Sequence, residues 1–310
     1  MSNSSVQIVV VGSYNRDLAL LVDRFPAPGE TRLSLGRAES PGGKGSNQAI
    51  QAARCGASTA MIAAVGQDSA GNEALTLWAS LEIDTSGVER LKDVATGMAM
   101  ILVDGQAENM IVVDSGANDH LSERHILAAK PLIDRAQLVV AQLETPMAAT
   151  RLAFDLARRS GVTTLLNAAP ANAALDHQLL ALTDILCVNE TEGAALSGQS
   201  SPEAIGQALI EAGPAIVILT LGADGAMLFR TGEPTLRARP PAVQAIDTTG
   251  AGDAFIGAFA AQWIVRKDLS EALNFALAAG ALACTRRGAA ASFGDRAEVE
   301  RLWSSHHGQH

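Results

Sequence analysis

A glycine-rich turn opens directly into an apolar helical segment at positions 247–255, DTTGAGDAF. Backbone N–H groups at a helix N-terminus have no partner within the helix, so together with the helix dipole they can bind a phosphate or a developing negative charge. Gly250, Ala251 and Gly252 would supply these amides. Asp253 follows at once and could accept a proton from a hydroxyl beside the anion, as phosphoryl transfer to an alcohol requires. The alternative is that the aspartates of this run only cap the helix.

A second glycine turn, PGGKGSNQ at positions 41–48, also leads into a helical segment. It does not fit the Walker A pattern, because Ala38 stands where the first glycine belongs and Gly45 where a serine or threonine belongs. Neither turn completes the dinucleotide fingerprint, since Phe255 and Gln48 occupy the position of its last glycine. The sequence thus excludes a P-loop and gives only weak support to a nicotinamide dehydrogenase.

The elements that position these turns follow an alternating pattern. Short apolar, β-branched runs are separated for the most part by Ala- and Leu-rich segments of helical length, and these runs are Val6–Val11, Leu138–Ala141, Thr163–Leu166, Ile185–Val188 and Ala215–Leu219. Alternation of this kind predicts an α/β fold with a central, mostly parallel sheet covered by helices on both faces, in three layers. Ligands of such sheets bind at the carboxyl ends of the strands. After Asp247 the chain is predicted to be helical, over residues 251–264, 270–285 and from about 295.

Two stretches break the alternation, at residues 17–40 and 98–113. The second has two short apolar runs around Asp104-Gly105, which predicts a hairpin. We expect a small accessory β-sheet, formed from about 14–40 and 97–117, that could close over a site as a lid; an edge extension with no moving role is the alternative. No repeat or linker divides the chain, so residues 1–310 are predicted to form a single domain.

Composition excludes several classes of protein. The chain has 310 residues and a mass of 32.0 kDa, 48% of its residues are hydrophobic, and 23 basic against 33 acidic side chains give a formal net charge of −10. This balance argues against a nucleic-acid partner. Cys55, Cys187 and Cys284 form no Cys-x-x-Cys pair, which favours reduced thiols. No apolar run reaches the ~18 residues of a spanning helix and the first basic residue is Arg16, so we expect a cytoplasmic protein with no membrane partner.

The order of motifs along the chain resembles the ribokinase branch of the PfkB carbohydrate kinase family. The motifs are GSYNRD at 12–17, PGET at 28–31, GGKGSNQA at 42–49, QLE at 142–144, NETE at 189–192 and DTTGAGD at 247–253. The resemblance runs to about Ser292 and implies a ribokinase-like fold with a β-sheet lid. It also implies an ATP-dependent kinase that phosphorylates the 5-hydroxyl of a pentose, with D-ribose favoured, and a homodimer formed through edges of the accessory sheet.

The resemblance also assigns roles to single residues, with Asp253 as the base and the amides of Gly250, Ala251 and Gly252 as the anion hole. Sugar hydroxyls would be held by Asn15, Asp17, Gly43, Lys44, Asn47 and Glu144, together with Asp253. ATP and Mg²⁺ would be organised by Asn189 and Glu192, with Thr220, Gly222, Gly225 and Gly252 contacting the nucleotide. A monovalent cation, usually K⁺, would be bound, largely through backbone carbonyls, by Asp247, Thr249, Ala283, Arg286, Gly288 and Ser292.

Simpler explanations exist for most of these residues. Asn15 and Asp17 could form an Asx-turn, Lys44 could be a solvated surface charge, and residues 189–192 could be a helix cap. Residues 220–225 could be a plain turn between strands. The substrate is open too: a kinase for deoxyribose, another sugar or a nucleoside is the nearest alternative, although the 4% aromatic content offers little for stacking a base. A non-catalytic sugar-binding relative would be expected to lack the base at position 253.

Overall fold

A computed structural model of the chain describes residues 6–106, 108–171 and 175–307. The strands are β1 (Ile8–Val11), β2 (Asn15–Leu21), β3 (Gly36–Gly42), β4 (Thr59–Gly66), β5 (Asp84–Leu91), β6 (Gly97–Val103), β7 (Asn109–Asp114), β8 (Leu138–Ala141), β9 (Thr163–Asn167), β10 (Ile185–Asn189), β11 (Ile216–Thr220), β12 (Ala226–Arg230) and β13 (Leu236–Ala238). The helices are α1 (Lys44–Arg54), α2 (Ser69–Ser80), α3 (Glu123–Ala128), α4 (Lys130–Ile133), α5 (Met147–Arg159), α6 (His177–Ala181), α7 (Glu190–Ser197), α8 (Pro202–Glu211), α9 (Ala251–Arg266), α10 (Leu269–Ala283) and α11 (Arg296–His307).

Within the described residues, nine strands form the larger sheet, in the order β13-β12-β11-β10-β9-β8-β1-β4-β5. The strands from β11 across to β5 run parallel, and β12 and β13 add an antiparallel edge. Side chains alternate between the faces of β1: Ile8 and Val10 belong to the buried cluster that includes α1, α9 and α10, whereas Val9 and Val11 belong to the cluster that includes α5 and α8. The predicted three-layer, mostly parallel α/β fold is confirmed.

Four strands of the larger sheet, β4, β5, β12 and β13, were not among the runs identified in the sequence, and the first two show why. β4 is buried at every position, but its sequence TAMIAAVG is rich in alanine, a residue with low β-propensity. β5, with the sequence DTSGVERL, is a half-exposed edge strand in which polar residues hide the apolar pattern. The burial of β4 between β1 and β5 therefore decides its conformation against its local preference.

A second sheet of four strands, within the described residues, has the order β3-β2-β6-β7. β2 pairs antiparallel with β3, and β6 with β7, while β2 and β6 run parallel to each other. The predicted hairpin is present, and the Asp104 carboxylate accepts hydrogen bonds from the amides of Gln106 and Glu108 at its turn. β2, β6 and β7 lie within the stretches predicted for an accessory sheet, and β3 extends two residues past the first stretch, to Gly42. This four-stranded sheet is called the accessory sheet below. Its movement as a lid, and the assignment of residues 1–310 to one domain, remain predictions.

The carboxyl ends of the parallel strands carry the motifs of the sequence analysis. Ser13 follows β1, Gln142 to Glu144 follow β8, and Asn167, Asn189 and Thr220 end β9, β10 and β11. The helix α9 begins at Ala251, as predicted. Throughout the described ranges, no helix is both long and apolar enough to cross a membrane.

Candidate active site

The glycine turn before α9 presents backbone amides to open space. Gly250 adopts the left-handed conformation at φ 76°, and a side chain there would also collide with Ala289, 2.9 Å from an added Cβ. The amide of Ala251 donates to the Thr248 carbonyl at 3.2 Å, but those of Gly250 and Gly252 meet no acceptor in the part of the chain that is described. A Cβ on Gly252 would have no neighbour within 4 Å. An anion can therefore approach this backbone closely.

Asp253 lies in the first turn of α9 and is 8% exposed. Its two carboxylate oxygens accept hydrogen bonds from Asn47 Nδ2 at 2.9 Å and from Gln48 Nε2 at 3.0 Å. Burial raises the pKa of Asp253, against the lowering effects of the Lys44 ammonium and of these two hydrogen bonds, while the negative charge of Glu144 adds to the rise. A carboxylate with a raised pKa that is held in one orientation is suited to act as a general base.

Two side chains that follow distant strands, Ser13 after β1 and Glu144 after β8, close the second glycine turn. The amide of Lys44 donates to the Glu144 carboxylate at 2.9 Å, and Ser13 Oγ donates to the same oxygen at 2.5 Å. Burial disfavours the charged form of Lys44, but the carboxylates of Asp253, Glu144 and Glu192 outweigh it, so the pKa of Lys44 is raised. Lys44 is therefore not a solvated surface charge, and it stays positive among the acidic groups of the site.

The predicted sugar-binding residues of β2 are held by contacts that the sequence did not reveal. Asn15 Oδ1 accepts a hydrogen bond from Asn118 Nδ2 at 2.9 Å, and Asn118 also bonds the backbone of Tyr14. These contacts argue against an Asx-turn at Asn15. Asp17 packs against Gly42, and burial, Glu144 and Asp253 raise its pKa to about 7. Asn118 was missed because nothing in its local sequence marks it; only the fold brings it beside β2.

Two separate cavities are each lined by some of the predicted site residues. The first, of about 390 Å³, is lined by Asn15 and Glu144 and also by Val113 and Ser115, at the end of the accessory sheet. The second, of about 290 Å³, we call the glycine-turn cavity. This cavity brings together most of the residues predicted for catalysis and nucleotide binding, and one residue predicted for sugar binding. The predicted residues in its lining are Lys44, Asn189, Glu192, Thr220, Gly222, Gly250, Gly252 and Asp253. Charge interactions of Lys44 with Glu144 and Asp253 join the two halves.

Asn189 and Glu192 form a reciprocal capping box at the start of α7. Asn189 Oδ1 accepts from the Glu192 amide at 2.8 Å, and Glu192 accepts from the Asn189 amide at 2.9 Å. The helix-cap explanation is therefore correct, yet both residues also line the glycine-turn cavity. Burial raises the pKa of Glu192, which the Asn189 amide and Lys44 oppose and Asp253 reinforces. The cap thus places a carboxylate in the cavity in a fixed orientation.

The predicted nucleotide loop at residues 220–225 is also the turn that connects β11 to the antiparallel strand β12. Thr220 and Gly222 line the glycine-turn cavity, but Gly225 is absent from its lining. A Cβ on Gly225 would lie 2.0 Å from the Ala238 carbonyl oxygen, and φ is 101°. The structure therefore gives Gly225 a packing role in the turn, because β13 passes too close for any side chain.

The predicted cation residues are brought together in part. The Asp247 carboxylate accepts from the amides of Thr249 and Gly288, at 2.9 and 2.8 Å. These bonds lower the pKa of Asp247 against the effect of its partial burial. Other members bond elsewhere: Arg286 pairs with Glu298 at 2.6 Å, and Ser292 Oγ donates to the Ala289 carbonyl. The Ala283 carbonyl accepts the Arg286 amide and keeps a second lone pair. The hydrogen bonds of the described residues therefore link Asp247, Thr249 and Gly288 directly, and they leave the other members of the set as a prediction.

Comparisons with known proteins find carbohydrate kinases. Residues 6–296 match the family described as pfkB family carbohydrate kinase. A ribokinase of Mus musculus is 43% identical over 259 residues, covering 82% of this chain and 80% of the mouse protein. A deoxyribokinase of Salmonella typhi is 32% identical over 293 residues, covering 93% of this chain and 95% of that protein. The solved structure of Arabidopsis thaliana ribokinase complexed with ribose and ATP matches with a TM-score of 0.89 and 30% identity, covering 96% of this chain and 99% of that one.

Proposed function

This chain belongs to the pfkB family of carbohydrate kinases, and from that premise we propose its reaction and the role of each residue. It is an ATP-dependent sugar kinase. The reaction is transfer of the γ-phosphoryl group of ATP to the 5-hydroxyl of D-ribose, which yields ribose 5-phosphate and ADP. The observation that carries this proposal is a buried carboxylate, Asp253, directly beside backbone amides of Gly250 and Gly252 that have no acceptor among the described residues.

The residues of the site divide the work of the reaction. Asp253 takes the proton of the ribose 5-hydroxyl. The hydroxyl oxygen bonds to the γ-phosphorus while the bond between that phosphorus and the ADP oxygen breaks. The amides of the α9 turn stabilise negative charge on the transferring group, and their fixed orientation lowers the cost of that stabilisation. Asn15, Asp17, Gly43, Lys44, Asn47 and Glu144 form the sugar-binding set. The accessory sheet would close over the sugar and exclude water.

Two cations fit the residues of the site to different degrees. Asn189 and Glu192 present oxygen atoms to the glycine-turn cavity, which suits Mg²⁺ bound through water and phosphate oxygens. Bound Mg²⁺ would neutralise charge on the phosphates. Asp247 and the backbone of Thr249 and Gly288 would hold K⁺, whose charge would rigidify the turn before α9. Within the described residues, no group of three His, Cys, Asp or Glu side chains offers a metal site of its own.

The identity of the sugar is the part of this proposal that most needs a test. Ribokinases and a deoxyribokinase both resemble the chain, and the sugars in their names differ only in the 2-hydroxyl. A site built from polar groups rejects a substrate that leaves one of them unpaired, by up to about 10⁴-fold. We expect ADP release with D-ribose to exceed that with 2-deoxyribose, hexoses and nucleosides by at least about 10-fold in kcat/KM. Equal rates with deoxyribose would move the assignment to deoxyribokinase, and no turnover with any sugar would support a binding protein.

A homodimer is proposed from the accessory sheet. β7 is an edge strand, all its residues are exposed, and Met110, Ile111 and Val112 are 54%, 54% and 71% exposed. An exposed apolar edge strand pairs readily with another chain. Light scattering is expected to give twice the mass of 32.0 kDa, and Val112→Lys to shift the distribution toward the monomer. A wild-type protein of single-chain mass at micromolar concentration would contradict the dimer.

We place the enzyme in the cytoplasm, where ATP is available. The three cysteines are free, which agrees with a reducing compartment. Fractionation of cells that express the chain would test this, with recovery of the kinase activity outside the cytoplasmic fraction as the contrary result.

A further inference from the structure

A row of buried amide side chains stands behind Asp253 and is not part of the sugar or nucleotide sets. Gln48 Nε2 lies 3.0 Å from Asp253 Oδ1 and also 3.0 Å from Asn167 Oδ1. Gln142 Nε2 donates to Gln48 Oε1 at 2.6 Å. Gln48 and Gln142 are each 1% exposed, so neither exchanges these partners for water. The row joins the end of β8, the start of α1, the end of β9 and the start of α9.

A backbone carbonyl at the far end of this row fixes which amide groups donate and which accept. Asn167 Nδ2 donates to the Cys187 carbonyl at 3.4 Å, and a carbonyl can only accept. Asn167 therefore turns its oxygen toward Gln48. With an acceptor in Asn167 and another in Asp253, the nearby group of Gln48 must be its NH₂. The oxygen of Gln48 then faces Gln142, whose NH₂ completes the order.

From this order we propose that Gln48, oriented by Gln142 and Asn167, is a positioning residue that holds the Asp253 carboxylate ionised and aimed at the substrate hydroxyl. The proposal rests on the proposed function, because it assumes that Asp253 is the base. In the proposed arrangement, Gln48 itself contacts neither the sugar nor the phosphate. A hydrogen bond to the ionised form of a carboxyl favours that form, so its loss raises the pKa of the acid. Gln48 is 1% exposed, so water has no ready access to the position of the lost donor.

Other charged groups near Asp253 must remain the same for a clean test. Lys44 from α1 and Glu144 after β8 act on its charge, and Asp17 from β2 and Glu192 from α7 are coupled to it. The Cys187 thiol, which lines the glycine-turn cavity, stays neutral because burial raises its pKa. Replacement of Gln48 by Met alters none of these groups. It keeps the length of the side chain and removes only its amide.

The test measures the single-turnover rate of phosphorylation against pH, with ribose and ATP saturating so that effects on binding drop out. For Gln48→Met we expect the acid limb of the profile to move up by about 1 pH unit. The plateau should fall about 10-fold. The KM for ribose, measured separately in the steady state, should stay within about 3-fold of wild type. Gln142→Met acts one bond further away and should give a smaller shift of the same sign, which also covers the case in which Gln48→Met fails to fold.

The same helix offers a matched control. Gln51 is fully buried, and its amide bonds Cys55 Sγ and the Gly294 carbonyl, each at 3.1 Å, with no contact to Asp253. Gln51→Met should lower stability as Gln48→Met does, yet leave the acid limb at its wild-type pH. An unmoved acid limb in both Gln48→Met and Gln142→Met would overturn the positioning role. Wild-type turnover in Asp253→Asn would instead overturn the proposed base, so the two failures are distinguishable.

Discussion

The two glycine turns of this protein resemble each other in sequence and differ in what their amides contact. α1 and α9 each begin after a glycine with a positive φ, Gly43 at 87° and Gly250 at 76°. Neither helix has a side-chain cap at its N-terminal residue. Before α1, however, the amides of Lys44 and Ser46 are taken by Glu144 and by the Ser13 carbonyl. The turn before α1 is closed by the protein itself.

The turn before α9 is open. A Cβ on Gly252 would meet nothing within 4 Å, whereas one on Gly45 would lie 2.5 Å from the Ser13 amide nitrogen. Glycine therefore serves opposite purposes at these two positions: at Gly45 it lets two backbones touch, and at Gly252 it leaves room for a ligand. A glycine turn before a helix indicates an anion site only where no other part of the chain fills it.

The largest effect should come from the base beside the open turn. Asp253→Asn keeps the shape of the side chain, and its remaining oxygen can still accept from Gln48. The Asn47 amide, whose oxygen has no partner among the described residues, can rotate to accept from the new NH₂ group. The variant cannot, however, accept the substrate proton. We expect kcat to fall by about 10²–10⁴-fold, as for loss of a general base, with ribose binding and thermal stability largely kept. Steady-state kinetics and calorimetric titration with ribose measure both. Near wild-type turnover would mean that the open turn is not where the chemistry occurs.

Gly45→Ala should break the closed turn by steric overlap. The added methyl would meet the backbone of Ser13 and Gly12, neither of which can move without shifting β1. We expect a loss of roughly 2–3 kcal/mol in the free energy of unfolding, measured by urea denaturation. The fold-change in activity per folded molecule should be smaller than the fold-change in the unfolding equilibrium constant. An unaltered unfolding midpoint would show that the turn before α1 has more room than its contacts indicate.

Gly252→Ala is the matched change at the open turn, and the opposite result is expected. Alanine is the better helix former, so the unfolding free energy should stay the same or rise by up to about 1 kcal/mol. The methyl would project into the space assigned to the phosphate, so kcat/KM for ATP should fall by about 10-fold. The comparison between the turns fails if this variant keeps full activity or if it is destabilised as Gly45→Ala is.

The contrast between the turns shows how far the sequence alone could reach. Alternating apolar runs and helical segments predicted the parallel sheet and its layers, and the motifs located Asp253 at the start of α9. The sequence could not tell which turn was open, because Glu144 and Ser13 close the first one from strands far away in the chain. For the same reason it gave no role to Gln48 or Asn118, whose partners are 119 and 104 residues distant.

The smallest of these effects concerns Asp17, which packs against Gly42 beside the closed turn. If this side of the site binds sugar and the open turn carries out the chemistry, Asp17 should govern affinity and leave turnover alone. Its pKa is raised to about 7 by burial, Glu144 and Asp253. An ionised carboxylate binds hydroxyl groups more strongly than a neutral acid, so ribose binding should tighten about 5-fold between pH ~6 and ~8. Calorimetric titration of Asp17→Asn should show a nearly flat pH dependence.

The same carboxyl should also be visible in the stability of the ligand-free protein. Because the pKa of Asp17 in the folded state lies above its ordinary value of 3.8, its contribution to stability is fully present below about pH 4. That contribution is lost as the pH rises through about 7, where a buried charge must form. Asp17→Asn removes the loss, so its melting temperature should exceed that of wild type at pH ~8 by at least about 2 °C, and the gap should narrow at pH ~5. A gap that is equal at both pH values would assign the gain to packing, and the ionisation of Asp17 could not then explain the pH dependence of ribose binding.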